Sequence, residues 1–160
     1  PYHRLIVARH REELEAILAE SDLVMVAGGH AAVLLNRLRL FGVDAMFREL
    51  PVLAWSAGAM VLSEQVVLFH DSPPQGAGNA EILDAGLGRC SGIVPLPRAS
   101  TRLRLDDPVR VSILARRFTD HTCVALDPGS RLILTAGGPQ AGPGTRCLHH
   151  DGAVRQMEAV

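Results

Sequence analysis

Two short apolar runs, each ending on small residues and each followed by helical spacing, limit what this chain can fold into. "LVMVAGGH" (23–30) is a continuous apolar run that stops at Gly28-Gly29, and residues 31–40 then carry Leu34, Leu35 and Leu38 on one helical face. After Pro51, "VLAW" (52–55) is a second such run, broken by Ser56, Ala57 and Gly58 before Met60, Val61 and Leu62 resume it. A strand of this kind reads as buried on both faces, and strands joined by helical stretches must lie parallel.

The rest of the chain agrees. Residues 9–20 show helical spacing through Leu14, Ile17 and Leu18; "VVLF" (66–69) and "GIVPL" (92–96) are strand-sized, with a Pro/Gly loop, "DSPPQGAGN" (71–79), between them. Asp107 before Pro108 is a cap followed by a first-turn proline, which predicts a helix over "PVRVSILARRF" (108–118). "TCVAL" and "RLILT" predict closing strands around a "DPGS" turn, and the Gly/Pro-rich 136–144 reads as loose. The expected architecture is a single α/β domain over 1–160: three layers, a mostly parallel sheet with helices on both faces, and hairpin strands at the C-terminal end.

Composition narrows the partners. The formal charge of −1 from 16 basic and 17 acidic residues offers no polyanion surface, so neither nucleic acid nor a membrane is expected. Cys90, Cys123 and Cys147 are far apart without a CxxC pair, which argues against a disulfide framework or cysteine zinc site. No run is long enough to span a bilayer, and the expected setting is the reducing cytoplasm.

In open α/β sheets, function gathers where strands end at their carboxyl side, and both Gly28-Gly29 and Ser56 fall there. A serine at the apex of a strand-turn-helix lifts its hydroxyl above the sheet, with the following amide, that of Ala57, aimed at the same space as an oxyanion donor. The Gly28-Gly29 backbone supplies a second donor. The plain alternative is that small residues after a strand serve close helix packing.

"VMVAGGHAAVLLNRL", "PVLAWSAGAMVL" and "RLRLDD" following "GIVPLPR" resemble the serine peptidase family S51 of dipeptidase E and cyanophycinase over about residues 12–134. That resemblance implies a class I glutamine amidotransferase-like, flavodoxin-like fold. It also implies a nucleophile role for Ser56, oxyanion roles for Gly28 and Gly29, and an acidic partner of the dipeptidase branch at Asp71. The family places one more strand and helix ahead of "PYHRLIV". On this reading the sheet lacks a strand, and either a second copy, as a homodimer, or a preceding segment covers the exposed side.

Two departures matter. The family's histidine falls on Arg98, and the acid of the cyanophycinase branch on Pro128, with Asp127 just before it. No histidine lies between His70 and His121, so a slip in alignment cannot restore the triad. Arginine stays protonated and only donates hydrogen bonds, so it cannot take the serine proton. Relocated bases are His30, which follows the Gly-Gly turn, and His70, beside Asp71; for either, a surface histidine is the plain alternative. Arg98 with the Gly28, Gly29 and Ala57 amides suits a small anionic or peptide-like ligand instead, unless it pairs with Asp106 or Asp107. No metal or other cofactor is expected. Three readings stay open: a degenerate hydrolase relative that binds without efficient turnover, an active serine hydrolase with a relocated histidine, and a structural or interaction domain.

Overall fold

A computed structural model of the chain describes residues 4–70 and 80–157. Helix α1 (Arg4–Ala19) carries ion pairs from Arg9 to Glu13 and from Arg11 to Glu15, at 3.0 and 3.4 Å, the i,i+4 spacing that supports an exposed helix. It starts at Arg4, ahead of the residue 9 expected from the spacing, and none of its side chains is buried. The consecutive Leu5, Ile6 and Val7 therefore need no common face.

Strand β1 (Val24–Val26) is followed by α2 (Ala31–Phe41), which closes on Gly42 at φ 63°, and by the single turn α3 (Val43–Met46). Strand β2 (Val52–Ala54) returns parallel to β1 and leads into α4 (Ala57–Val61). Helices α2 and α4 share an apolar cluster through Leu35, Ala57, Met60 and Val61. The expected burial of this strand pair on both faces needs correction. Val26 is buried, but Met25 and Leu53, directly opposite each other, are 59% and 51% exposed. Parallel strands are covered only where helices lie on both sides, and the described elements leave this face open.

Strand β3 (Gln65–Phe69) pairs antiparallel with β4 (Ala80–Ala85). β4 adds to the elements read from the sequence. Glu81 and Asp84 interrupt its apolar pattern, and Arg39 of α2 holds it by bonding the Asp84 carboxylate at 2.7 Å and the Ala85 carbonyl at 2.6 Å.

Strand β5 (Ile93–Pro97) is buried along its whole length. After α5 (Ala99–Arg102) and α6 (Pro108–Arg117), the parallel strand β6 (Thr122–Leu126) lies beside it. Asp107 caps α6 as expected, its carboxylate accepting from the N–H groups of Val109 and Arg110. Strands β7 (Leu132–Thr135) and β8 (Gly138–Ala141) form a hairpin; β9 (Arg146–Leu148) and β10 (Val154–Gln156) form another. β9 joins β6, giving a four-stranded sheet in the order β10-β9-β6-β5.

Three expectations change here. The described strands form small sheets of mixed direction; among them β1-β2 and β5-β6 pair parallel, and a lone parallel bridge joins Ser63 to Cys90. "RLILT" does not pair with "TCVAL" but with residues 138–141, so 136–144 is not loose. Gly138 at φ 104° allows that reversal, and β6 takes β9 instead.

The main core joins Val94, Leu96, Val111, Phe118, Ala125 and Leu148. Cys123 and Cys147 sit on neighbouring strands but oppose Leu148 and Val124 respectively, so their side chains leave opposite faces. Both are free thiols, and burial, with the nearby Cys147 sulfur second, pushes the Cys123 thiol up to about 12. Among the described residues no helix is long and apolar enough to cross a membrane.

Candidate functional site

The chain leaves β2 through a sharp corner. Trp55 N–H continues the ladder to the Val26 carbonyl at 3.2 Å, Ser56 takes φ 53°, ψ −127°, and α4 begins at the next residue. That backbone conformation is one that side-chain-bearing residues rarely hold unless their surroundings fix it. What fixes it is the approach of α4 to β1: a Cβ on Gly58 would stand 2.0 Å from the Val26 carbonyl oxygen. Only glycine lets the helix start so near the strand.

Gly28, just past β1, comes against the same corner. A Cβ there would lie 3.0 Å from Ser56 Cβ, 3.2 Å from its Oγ and 4.0 Å from the Ala57 nitrogen. The structure therefore brings together Gly28, Ser56 and Ala57. Ala57 is buried, and as the first helical residue it has no intrahelical acceptor for its N–H. Gly29 sits beyond them at φ 126° with open space around it.

Neither candidate base is hydrogen-bonded to Ser56 among the described residues. His30 is exposed at the start of α2 and makes no capping bond with its side chain. His70 follows β3, and its Nε2 lies 3.5 Å from a carboxylate oxygen of Glu81 on the paired strand β4. Asp71 lies outside the described residues. The half-buried His121, at the other end of β6, bonds Glu64 at 2.9 Å. Among the described residues no imidazole hydrogen-bonds the Ser56 hydroxyl.

Arg98 follows β5 and is the other non-glycine residue at positive φ (φ 55°, ψ 40°) among the described residues. Its N–H donates to the Leu126 carbonyl at 2.8 Å, and its own carbonyl accepts from Thr101 N and Arg102 N, each at 3.1 Å, and from Thr101 Oγ1 at 3.0 Å. Asp106 is taken by Arg104, and Asp107 by its cap and by Arg110. The Arg98 guanidinium is exposed and unpaired among the described residues. The neighbouring arginines are less uniformly solvated than their interleaving suggests: Arg102 stacks on the Phe69 ring at 5.1 Å, and Arg117 donates to the Ala80 carbonyl.

Beside Arg98 lies a cluster that the sequence did not single out in full. Asp127 accepts from Ser100 N at 2.9 Å, from Ser100 Oγ at 2.8 Å and from Arg146 Nη2 at 2.6 Å; Arg146 also reaches Ser100 Oγ at 2.7 Å. Burial pushes the Asp127 carboxyl up, but these hydrogen bonds from Ser100 and Arg146 outweigh it and hold the group below its ordinary range. Ser100 and Arg146 carry no local signal, since they meet only when β9 adds to β6. Helix α4, opened by Ser56, packs on β5, which Arg98 follows.

Two clefts stand out elsewhere. One of about 810 Å³ lies at the amino end of β6 near His121, His149 and Asp151, and one of about 450 Å³ lies between α6 and β4; Ser56 lines neither. The corner rather than either cleft carries Ser56 and its strained backbone.

Compared with known proteins, residues 5–88, just over half of the chain, match the family described as "Peptidase family S51". No curated protein matches the chain. Among solved structures, the crystal structure of a candidate peptidase E protein from Listeria monocytogenes EGD-e is similar in fold. It is 17% identical with a TM-score of 0.52, and the match covers 92% of this chain and 65% of that one. The chain thus spans just under two thirds of that structure's length.

Proposed function

The chain belongs to peptidase family S51, and from that premise we propose that it is a degenerate hydrolase of this family that binds a small anionic or peptide-like ligand at the Ser56 corner without efficient turnover. The observation that carries this reading is a strained serine whose hydroxyl has no imidazole hydrogen-bonded to it among the described residues. Ser56 holds φ 53° against Gly28, while His70 is engaged with Glu81 and Arg98 occupies the strand end where a histidine would serve. A serine hydroxyl needs a base within about 2.6–3.2 Å to become a nucleophile at neutral pH. A guanidinium cannot accept its proton, and losing the base leaves only about 10³–10⁴ of rate over water from oxyanion donors and binding.

What the corner retains is suited to recognition. The Ala57 amide and the Gly28 backbone stand beside the hydroxyl, and Arg98, which follows the strand that α4 packs on, adds a cation unpaired among the described residues, so that together these donors suit a carboxylate or a phosphate. The same reading takes β1-β2 and β5-β6 as parts of the three-layer, flavodoxin-like sheet of the class I glutamine amidotransferase type.

Fluorophosphonate labelling tests it. Folded protein is expected to show no stoichiometric adduct at Ser56 over hours, and its melting temperature is expected to rise with succinate or inorganic phosphate, but not in Arg98→Ala. Rapid labelling that disappears in Ser56→Ala would overturn the reading in favour of an active serine hydrolase, with His30 as the first base to replace.

A further inference from the structure

A side chain at φ 55°, ψ 40° costs folding free energy that glycine would avoid. Elsewhere in the described residues the chain uses glycine: eight glycines take positive φ, and the exceptions are Ser56 and Arg98. Arginine at the second exception carries that conformational cost, so the surrounding structure must keep the corner from relaxing.

The surrounding bonds identify what does so. Leu126 O holds the Arg98 N–H, and the residue after Leu126 is Asp127, whose two carboxylate oxygens take the backbone and hydroxyl of Ser100, two residues beyond Arg98. Arg146, reaching across from β9, closes the ring by donating to both Asp127 and Ser100. The strand end of β6 is thus tied to Arg98 on one side and to the first turn of α5 on the other, and neither tie uses the Arg98 guanidinium.

We infer that Asp127, supported by Ser100 and Arg146, is the positioning unit of the anion site: it clamps the first turn of α5 so that Arg98 keeps its left-handed backbone and presents its guanidinium to an anionic ligand. This rests on the anion reading of the site given above. No proton or bond changes hands. Asp127 acts through Arg98 and does not touch the ligand.

The test separates the clamp from the ligand. In the wild-type protein, the Arg98 amide should show the strong intraresidue HN–Hα NOE of positive φ, and titrated inorganic phosphate should shift the Arg98 Nε–Hε signal. In Asp127→Asn the NOE should weaken and phosphate affinity should fall about tenfold, the scale of a lost charge-assisted bond. In an Arg98→Ala background, the same Asp127→Asn change should leave the residual affinity unaltered. Should Asp127→Asn fail to fold, Ser100→Ala removes only the hydroxyl contact and should move both readouts in the same direction by less. A folded Asp127→Asn that keeps the NOE and the affinity, or losses that simply add in the double variant, would overturn the inference. If the wild-type protein binds no phosphate, the anion reading fails; the NOE in Asp127→Asn still decides whether the clamp exists.

Discussion

Ser56 and Arg98 share a property that no pattern of apolar spacing could reveal: each holds a side chain where the backbone favours none. Replacing Arg98 by glycine should raise stability by about 0.5–1 kcal/mol, the left-handed penalty less glycine's extra entropy in the unfolded chain. Chemical denaturation checks this, with the phosphate response lost at the same time. Glycine positions point the opposite way. Gly58→Ala would drive a Cβ to 2.0 Å from the rigid Val26 carbonyl and should destabilise by about 3 kcal/mol or more. Gly28→Ala meets Ser56 at 3.0–3.2 Å, so a few tenths of an ångström of yielding suffice and the loss should be clearly smaller. Asp127 adds a pH dependence. Its folded-state pKa lies below the ordinary aspartate value, so its contribution is present above that ordinary value and is lost as pH falls through the folded one. The stability gap between wild type and Asp127→Asn, followed by urea denaturation, should therefore be full at neutral pH and close progressively below about pH 4.

Among the elements, legibility followed how local the cause is. The start of α6 was readable because Asp107 and Pro108 act within one turn, and Asp107→Ala should cost about 1 kcal/mol at an unchanged denaturant slope. The corner at Ser56 was readable because a strand, a serine and two small residues follow one another directly. Strand β4 was not, since its charged residues break alternation and its support comes from Arg39, 45 positions away from Asp84. Arg39→Ala should therefore quicken amide hydrogen exchange over 80–85 with little change in global stability, because the pair is partly exposed. Likewise the partners of "RLILT" and "TCVAL" were misread because adjacency in sequence favoured one hairpin and tertiary pairing chose another. Ser100 and Arg146 belong to the same class: nothing in "PRAS" or "TRCL" shows that β9 will bring them together.

For the molecule as a whole, the parallel pair β1-β2 and the parallel pair β5-β6 are linked through α4, which is opened by Ser56 and rests on β5. The residue that precedes that serine, Trp55, is the sole tryptophan of the chain and is 47% exposed. Its amide belongs to the strand ladder, so the backbone that carries the ring is part of the corner. The protein thus contains a built-in optical probe one peptide bond away from the hydroxyl in question. Intrinsic fluorescence, read without any label, should begin at the long wavelengths of a wet indole and move toward the blue when something occupies or covers that end of the strand pair.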